Sequence, residues 1–141
     1  MTPRRLRAAT RADLPRIHDI RHGTAENRLT NPALVTSEEL AWYLDNAIFL
    51  VSEEGGTIQG FTCVNHLTGY VWALFVIDDA QRRGHGAALL DEAMMLLRQA
   101  GHRQAFLSTG PGTKAEAFYA ARGWQPAGMN LSGEVVFRLR L

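Results

Sequence analysis

The segment VWALFVIDDAQRRGHGAALL, from Val71 to Leu90, limits the folds open to this chain more than any other. An apolar run of strand length passes an Asp-Asp corner and a basic, glycine-rich turn. It then enters a stretch from Gly84 to Ala100 in which Ala87, Leu90, Ala93, Met94 and Leu97 recur with helical spacing. Gly101 supplies a left-handed stop, and QAFLST resumes extended structure. Strand, helix and strand in this order form a right-handed crossover, which places a parallel pair in the middle of the sheet. The glycine turn then lies where a strand ends and a helix begins. About four backbone N–H groups lack partners there and carry partial positive charge, so the turn is suited to an anion.

The flanking segments surround this crossover with antiparallel structure. Leu6 to Ala9 reads as a first strand, and Thr10 with Asp13 as a capping box opening a helix through Ile17 and Ile20, with Pro15 tolerable only in its first turn. Asn31-Pro32 breaks the chain, and Thr36-Ser37-Glu38-Glu39 opens a second helix carrying Leu40, Tyr43 and Leu44. AIFLVS, a turn at Glu54-Gly55-Gly56 and TIQGFTCVNH form a hairpin, followed by a strand from Tyr70 to Ile77. After QAFLST come a short helix, TKAEAFYAAR, ending at Gly123, and a closing strand in GEVVFRLRL. The expected order is β-α-α-β-β-β-α-β-α-β(-β), an α+β (mixed α/β) arrangement in one domain spanning residues 1–141.

Composition excludes several classes. Fifteen basic against 14 acidic residues leave a net charge of +1, too balanced for a nucleic-acid binder that relies on counterion release. Arg4, Arg5, Arg7 and Arg11 cluster near the start, but they alternate with Leu6 and Ala8 as on a half-buried strand. No stretch approaches the roughly 20 apolar residues of a membrane span, and the basic start lacks the apolar core of a signal peptide. A single cysteine, Cys63, closes no intrachain disulfide, in keeping with a cytoplasmic protein. No nucleic-acid or membrane partner is expected.

Gln81-Arg82-Arg83-Gly84-His85-Gly86-Ala87 adds two permanent guanidinium charges and two glycines to the helix start, a fit for phosphate or pyrophosphate. A dinucleotide fingerprint needs a third small residue where Leu89 stands, and Gly110-Pro111-Gly112-Thr113-Lys114 has the letters of a P-loop in the wrong order. The run from Val76 to Gly86 instead resembles the acyl-CoA-binding segment of the GNAT superfamily of N-acetyltransferases, [QR]-x-x-G-x-[GA] between a strand and a long helix. Ala117-Phe118-Tyr119-Ala120-Ala121-Arg122-Gly123-Trp124 resembles that family's second motif, F/L-Y-x-x-x-G-F, at a fitting separation.

The resemblance implies a GNAT-like domain with a central, mostly antiparallel mixed sheet flanked by helices. The implied activity is transfer of an acetyl group from acetyl-CoA, as co-substrate, to a primary amine by direct attack on the thioester. It also implies a bulge around Leu74, Phe75 and Val76 that opens a gap for the pantetheine arm, with the Val76 N–H as oxyanion donor. Gln81, Arg82, Arg83, Gly84, His85, Gly86 and Ala87 would hold the CoA phosphates. Tyr119 would act as general acid on the departing thiolate, since a phenol titrating near ~10 is protonated at neutral pH. The strand from Tyr70 to Phe75 lacks the glutamate that many relatives use as base, which leaves Glu26, His66 or a chain of waters. Gly112 stands where many relatives carry an asparagine for the pantetheine. Ser108, Thr109 or the backbone of the Pro111-Gly112-Thr113 turn would replace it, and Lys114 could reach a CoA phosphate.

His18 and His22 lie four apart without a third ligand of suitable spacing, so no metal is expected. Cys63 reads as a small buried hydrophobe, consistent with transfer that forms no acyl-cysteine. Trp42, Tyr43, Tyr70 and Trp72 either wall an acceptor site or fill the core. The acceptor expected is a small-molecule amine or amino acid. A peptide or protein amine, a non-catalytic acyl-CoA-binding module and a homodimer remain open at this level.

Overall fold

The computed structural model describes residues 4–23, 37–77, 80–81 and 83–141. Among them, seven strands form one mixed sheet in the order β1-β2-β3-β4-β5-β7-β6. β1 (Arg4–Ala8), β2 (Ile48–Glu54), β3 (Thr57–Asn65) and β4 (Tyr70–Val76) are antiparallel neighbours. β5 (Gln104–Thr109) lies parallel to β4, and β7 (Val135–Arg140) joins β5 to the outer strand β6 (Gln125–Met129). The closing segment is therefore two strands, the larger of the alternatives left by the sequence.

Four α-helices cover the sheet. α1 (Leu14–Gly23) follows a 3-10 turn at Arg11–Asp13, and α2 is Ser37–Asn46. α3 (His85–Gln99) is the crossover helix, and α4 (Lys114–Ala121) follows β5. The Thr10–Asp13 box forms: the Asp13 carboxylate accepts from the Thr10 N–H at 2.7 Å and from Thr10 Oγ1 at 3.1 Å. The same carboxylate takes both arms of Arg7, whose Nε donates to Glu53. The arginines near the start are thus structural: Arg7 clasps Asp13 and Glu53, Arg11 meets Asp45, and Arg4 donates to the Arg83 carbonyl.

Apolar residues pack on both faces of the sheet, which explains the nearly continuous apolar runs of β2 and β3. Ile17, Ile20, Leu40, Tyr43, Phe49, Val51, Phe61 and Cys63 form the core beneath α1 and α2. Leu89, Leu90, Ala93, Leu97, Val64, Val71, Leu107, Tyr119, Trp124 and Phe137 form the other beneath α3 and α4. Two full cores hold β4 rigidly along its β3 side. Among the described residues no helix is long and apolar enough to cross a membrane.

Candidate active site

β4 and β5 touch at one registered pair, Tyr70 with Phe106, and diverge beyond it. Gly69 permits that single contact. At φ +83° it occupies a left-handed conformation, and a Cβ there would lie 2.8 Å from the Gln104 carbonyl oxygen, while the Gly69 carbonyl accepts from the Phe106 N–H at 3.1 Å. From this closed end the strands separate toward Val76 and Thr109, leaving a wedge open at their carboxyl ends.

The backbone of β4 faces this wedge at alternate residues. Ile77 donates to the Gln59 carbonyl at 2.9 Å on the β3 side, so Leu74 and Val76 direct their N–H and C=O groups the other way. Gln81 Nε2 meets the Val76 carbonyl from that side at 3.3 Å. The wedge does not arise from a bulge at Leu74–Val76: these three residues pair regularly with Thr62, Phe61 and Gly60. The bulge lies earlier, at Trp72, because Ala73 pairs with Cys63 and Val71 with Val64, leaving Trp72 as the extra residue.

At the mouth of the wedge stands the start of α3. Gly84 caps the helix at φ +86°, ψ 6°, a conformation that L side chains rarely adopt, and a Cβ there would meet Arg4 Nη1 at 2.9 Å. At Gly86 an added Cβ would make only ordinary contacts with Val76 Cγ2 at 3.6 Å and Phe118 at 3.7 Å. Packing within the chain therefore does not require glycine at 86.

The side chains of this turn divide in two. His85 turns inward: its side chain is fully buried, with Nδ1 2.6 Å from Ser52 Oγ and Nε2 3.7 Å from Glu54 Oε1. Burial holds its pKa below the ordinary value, Glu54 opposing and Arg4 and Arg83 adding to the effect, so the imidazole is neutral at pH 7. The imidazole is thus a core group, and it is the backbone of His85 that belongs to the helix start. Arg83 extends outward and pairs with Glu54 Oε2 at 2.7 Å, an exposed contact that exchanges readily. Ala87 occupies the first turn of α3, and Arg82 and Glu26 lie outside the described residues.

Tyr119 reaches the second core from α4, its ring centroid 5.3 Å from Phe118, 5.6 Å from Trp124 and 6.2 Å from Phe137. Burial raises its phenol well above the ordinary value, so it stays protonated throughout the physiological range. Thr113 caps α4 by accepting from the Glu116 N–H at 3.1 Å, which places Lys114 on the first, exposed turn; Gly112 is exposed at φ +76°. Ser108 donates to Glu134 at 3.1 Å, and Tyr70 shares this cluster through a hydrogen bond with Ser108.

His66 lies in the turn before Tyr70, where its carbonyl meets His102 Nε2, at the opposite end of β4 from Val76. Six strand residues span about 20 Å, so the structure removes His66 from the mouth of the wedge. Glu134, in the turn before β7, is a carboxylate that no motif signalled. Tyr43 stacks on Trp72 at 4.3 Å and meets Trp42 edge-on at 5.1 Å, so three of the four expected aromatics come together, with Tyr43 and Trp72 on the α1 and α2 face. Burial pushes the Cys63 thiol well above its ordinary range, and among the described residues no three potential ligands gather around a metal site.

A single mixed sheet whose parallel pair opens onto a glycine-capped helix is the arrangement that the two sequence motifs lead one to expect. The sequence model of the acetyltransferase (GNAT) family matches residues 14–124, and the chain belongs to that family. A search of curated protein sequences finds no match. Solved structures share the fold at low identity. The PaiA N-acetyltransferase of Thermoplasma acidophilum, in complex with coenzyme A, superposes with a TM-score of 0.83 at 14% identity over 99% of each chain. The ribosomal-protein-alanine N-acetyltransferase of Brucella melitensis superposes with a TM-score of 0.81 at 23% identity, covering 97% of this chain and 99% of that one. The N-acetylglutamate synthase of Neisseria gonorrhoeae, complexed with coenzyme A and N-acetyl-glutamate, gives 0.81 at 21% identity over all of this chain and 36% of the other.

Proposed function

We propose that the chain, as one catalytic domain over residues 1–141, transfers the acetyl group of acetyl-CoA to a primary amine of a small molecule or amino acid. The observation that carries this reading is the wedge between β4 and β5, which turns the backbone of Leu74 and Val76 toward the start of α3. Acetyl-CoA supplies an activated thioester. The free N–H groups at Gly84 to Ala87, with Arg82, Arg83 and Lys114, hold its phosphates, and Ser108 with the Gly112 turn borders the pantetheine. The Val76 N–H stabilises negative charge on the carbonyl oxygen, an arrangement that counts most in a site screened from water. Tyr119, kept protonated by burial, gives its proton to the thiolate. Glu26 is the base assigned to the amine, directly or through water, and Glu134 is a second carboxylate to be tested against it.

Among the structural neighbours are an enzyme named for a ribosomal-protein alanine and one complexed with N-acetyl-glutamate, so this fold serves both large and small acceptors. The reduced Cys63 fits work in the cytoplasm. Thermal melting with acetyl-CoA, NAD and ATP tests the reading. Acetyl-CoA at about 100 times its dissociation constant adds roughly 2.7 kcal/mol and raises the midpoint, while NAD and ATP do not. Thiol release in the presence of amines then reports turnover, and a shift without turnover on any amine would leave a binding module.

A further inference from the structure

Arg21, on the last turn of α1, is the one buried guanidinium without a counter-charge among the described residues. It is 3% exposed, and its Nε has no hydrogen-bond partner there. Other arginines find oxygens: Arg7 holds Asp13 and Glu53, Arg16 donates twice to the Ile58 carbonyl at 2.9 and 3.0 Å, and Arg122 pairs with Asp91. Arg21 instead lies over the Phe75 ring, 5.6 Å from its centroid. Burial draws its pKa down, and no carboxylate among the described residues opposes it. A charge of this kind is retained in an interior when something pairs with it.

Its location indicates what pairs with it. The bulge at Trp72 puts Trp72 and Ala73 on the same side of β4, beneath α1 and α2, and so reverses the alternation that follows. Leu74 belongs to the core under α3, Phe75 to the core under α1 and α2, and Val76 again contacts the α3 side at Gly86. Arg21 and Phe75 therefore stand one residue from the Val76 N–H but across the sheet from the glycine turn. Granted the acetyltransferase reading, the cofactor occupies the α3 side and the amine comes from the face where Arg21 waits.

We propose that Arg21 binds a carboxylate carried by the acceptor, so that the substrate is an amine with its own acid group, an amino acid being the simplest. A guanidinium keeps its charge and presents parallel donors that match the two oxygens of a carboxylate. Phe75 lies within cation–π reach of the guanidinium, and the apolar surroundings strengthen the pairing relative to water.

The test uses the full chain, wild type and Arg21→Gln, with thiol release from acetyl-CoA measured on a matched set. Each amino acid is compared with its carboxamide and its decarboxylated amine, and dipeptides with free C-termini with their amides. Wild type should favour the carboxylate members by roughly 10- to 100-fold in kcat/KM. Arg21→Gln should erase that preference, chiefly through KM, while rates on the carboxamides stay within about threefold and the melting shift with acetyl-CoA persists. Arg21→Lys should keep part of the preference. Wild-type preference for carboxylate-free amines would overturn the assignment, as would turnover of none of the set by a protein that binds acetyl-CoA. Equal loss across the set would overturn it too, because the guanidinium would then serve the fold or a carboxylate of this chain. A wild-type protein that neither melts higher with acetyl-CoA nor releases thiol would instead remove the acetyltransferase reading, and this assignment with it.

Discussion

Tyr119→Phe separates chemistry from structure at one oxygen atom. The ring contributes three aromatic contacts, to Phe118, Trp124 and Phe137, and phenylalanine keeps all of them. The variant should therefore melt within about 1 kcal/mol of wild type, whereas Tyr119→Ala, which empties a buried aromatic site, should lose about 3–5 kcal/mol. General acid catalysis contributes about 10²- to 10⁴-fold, or roughly 2.7–5.5 kcal/mol of the barrier. Single-turnover and steady-state thiol release should show kcat falling by that factor in Tyr119→Phe, with the acetyl-CoA melting shift unchanged. Because burial raises the phenol above its ordinary range, wild-type kcat should not decline between pH 7 and about 9 through ionisation of Tyr119. Full activity in Tyr119→Phe would refute the proton-donor role and return the residue to the core alone.

Gly84→Ala places a Cβ 2.9 Å from Arg4 Nη1 at φ +86°; the Arg4 terminus can move, so the left-handed backbone dominates, and melting should report a loss of about 1–2 kcal/mol together with weaker acetyl-CoA binding. Arg7 and Thr10 lower the Asp13 carboxyl from 3.8 to about 2, which after solvent screening is worth about 1–2 kcal/mol; the contribution is complete above pH ~4 and lost as pH falls toward 2, and Asp13→Asn should remove it at neutral pH and flatten that part of the acid-unfolding curve. Between the two carboxylates, Glu26→Gln should lower kcat/KM more than Glu134→Gln if Glu26 is the base, measured at the pH where wild type is half-active.

The elements that local patterns govern were legible from residues alone. QAFLST is β5 to the residue, and the helix expected from Gly84 to Ala100 runs His85–Gln99, because apolar spacing and a stop at Gly101 are properties of neighbours in sequence. The two family motifs fall at the turn into α3 and on α4. What pairing across the sheet decides was not legible. The bulge was expected at Leu74–Val76 and lies at Trp72, since a register shift is set by Cys63 and Val64 on another strand. The motif placed His85 in the turn but said nothing of its imidazole, which lies against Ser52 and Glu54, over 30 positions earlier. Arg21 carried no signal at all: an arginine in the last turn of a helix reads as solvated until Phe75 is brought beneath it.

Leaving Trp72 unpaired is what keeps the faces of β4 in register with β3. Were Trp72 instead paired regularly opposite Cys63, β4 would continue the alternation begun at Val71, and Phe75 would fall under α3 with Val71. Leu74 and Val76 would then point toward α1 and α2, and Val76 could not meet Gly86. With Trp72 unpaired, Val76 contacts the helix start that is suited to phosphate, while Phe75 turns to the face that holds Arg21, Tyr43 and Trp72. The backbone of Leu74 and Val76 still faces the wedge, because the pairing with Thr62 and Gly60 resumes in register beyond the bulge. A thioester lying along the wedge would thus meet its amine across the thickness of one sheet, with the Val76 N–H between them. Deleting Trp72 leaves Val71 opposite Val64 and Ala73 opposite Cys63, so Leu74, Phe75 and Val76 keep their faces. Acetyl-CoA binding, read by melting, should persist while amine selectivity falls with the lost stack on Tyr43, and Trp72→Phe, which keeps most of that stack, should spare both.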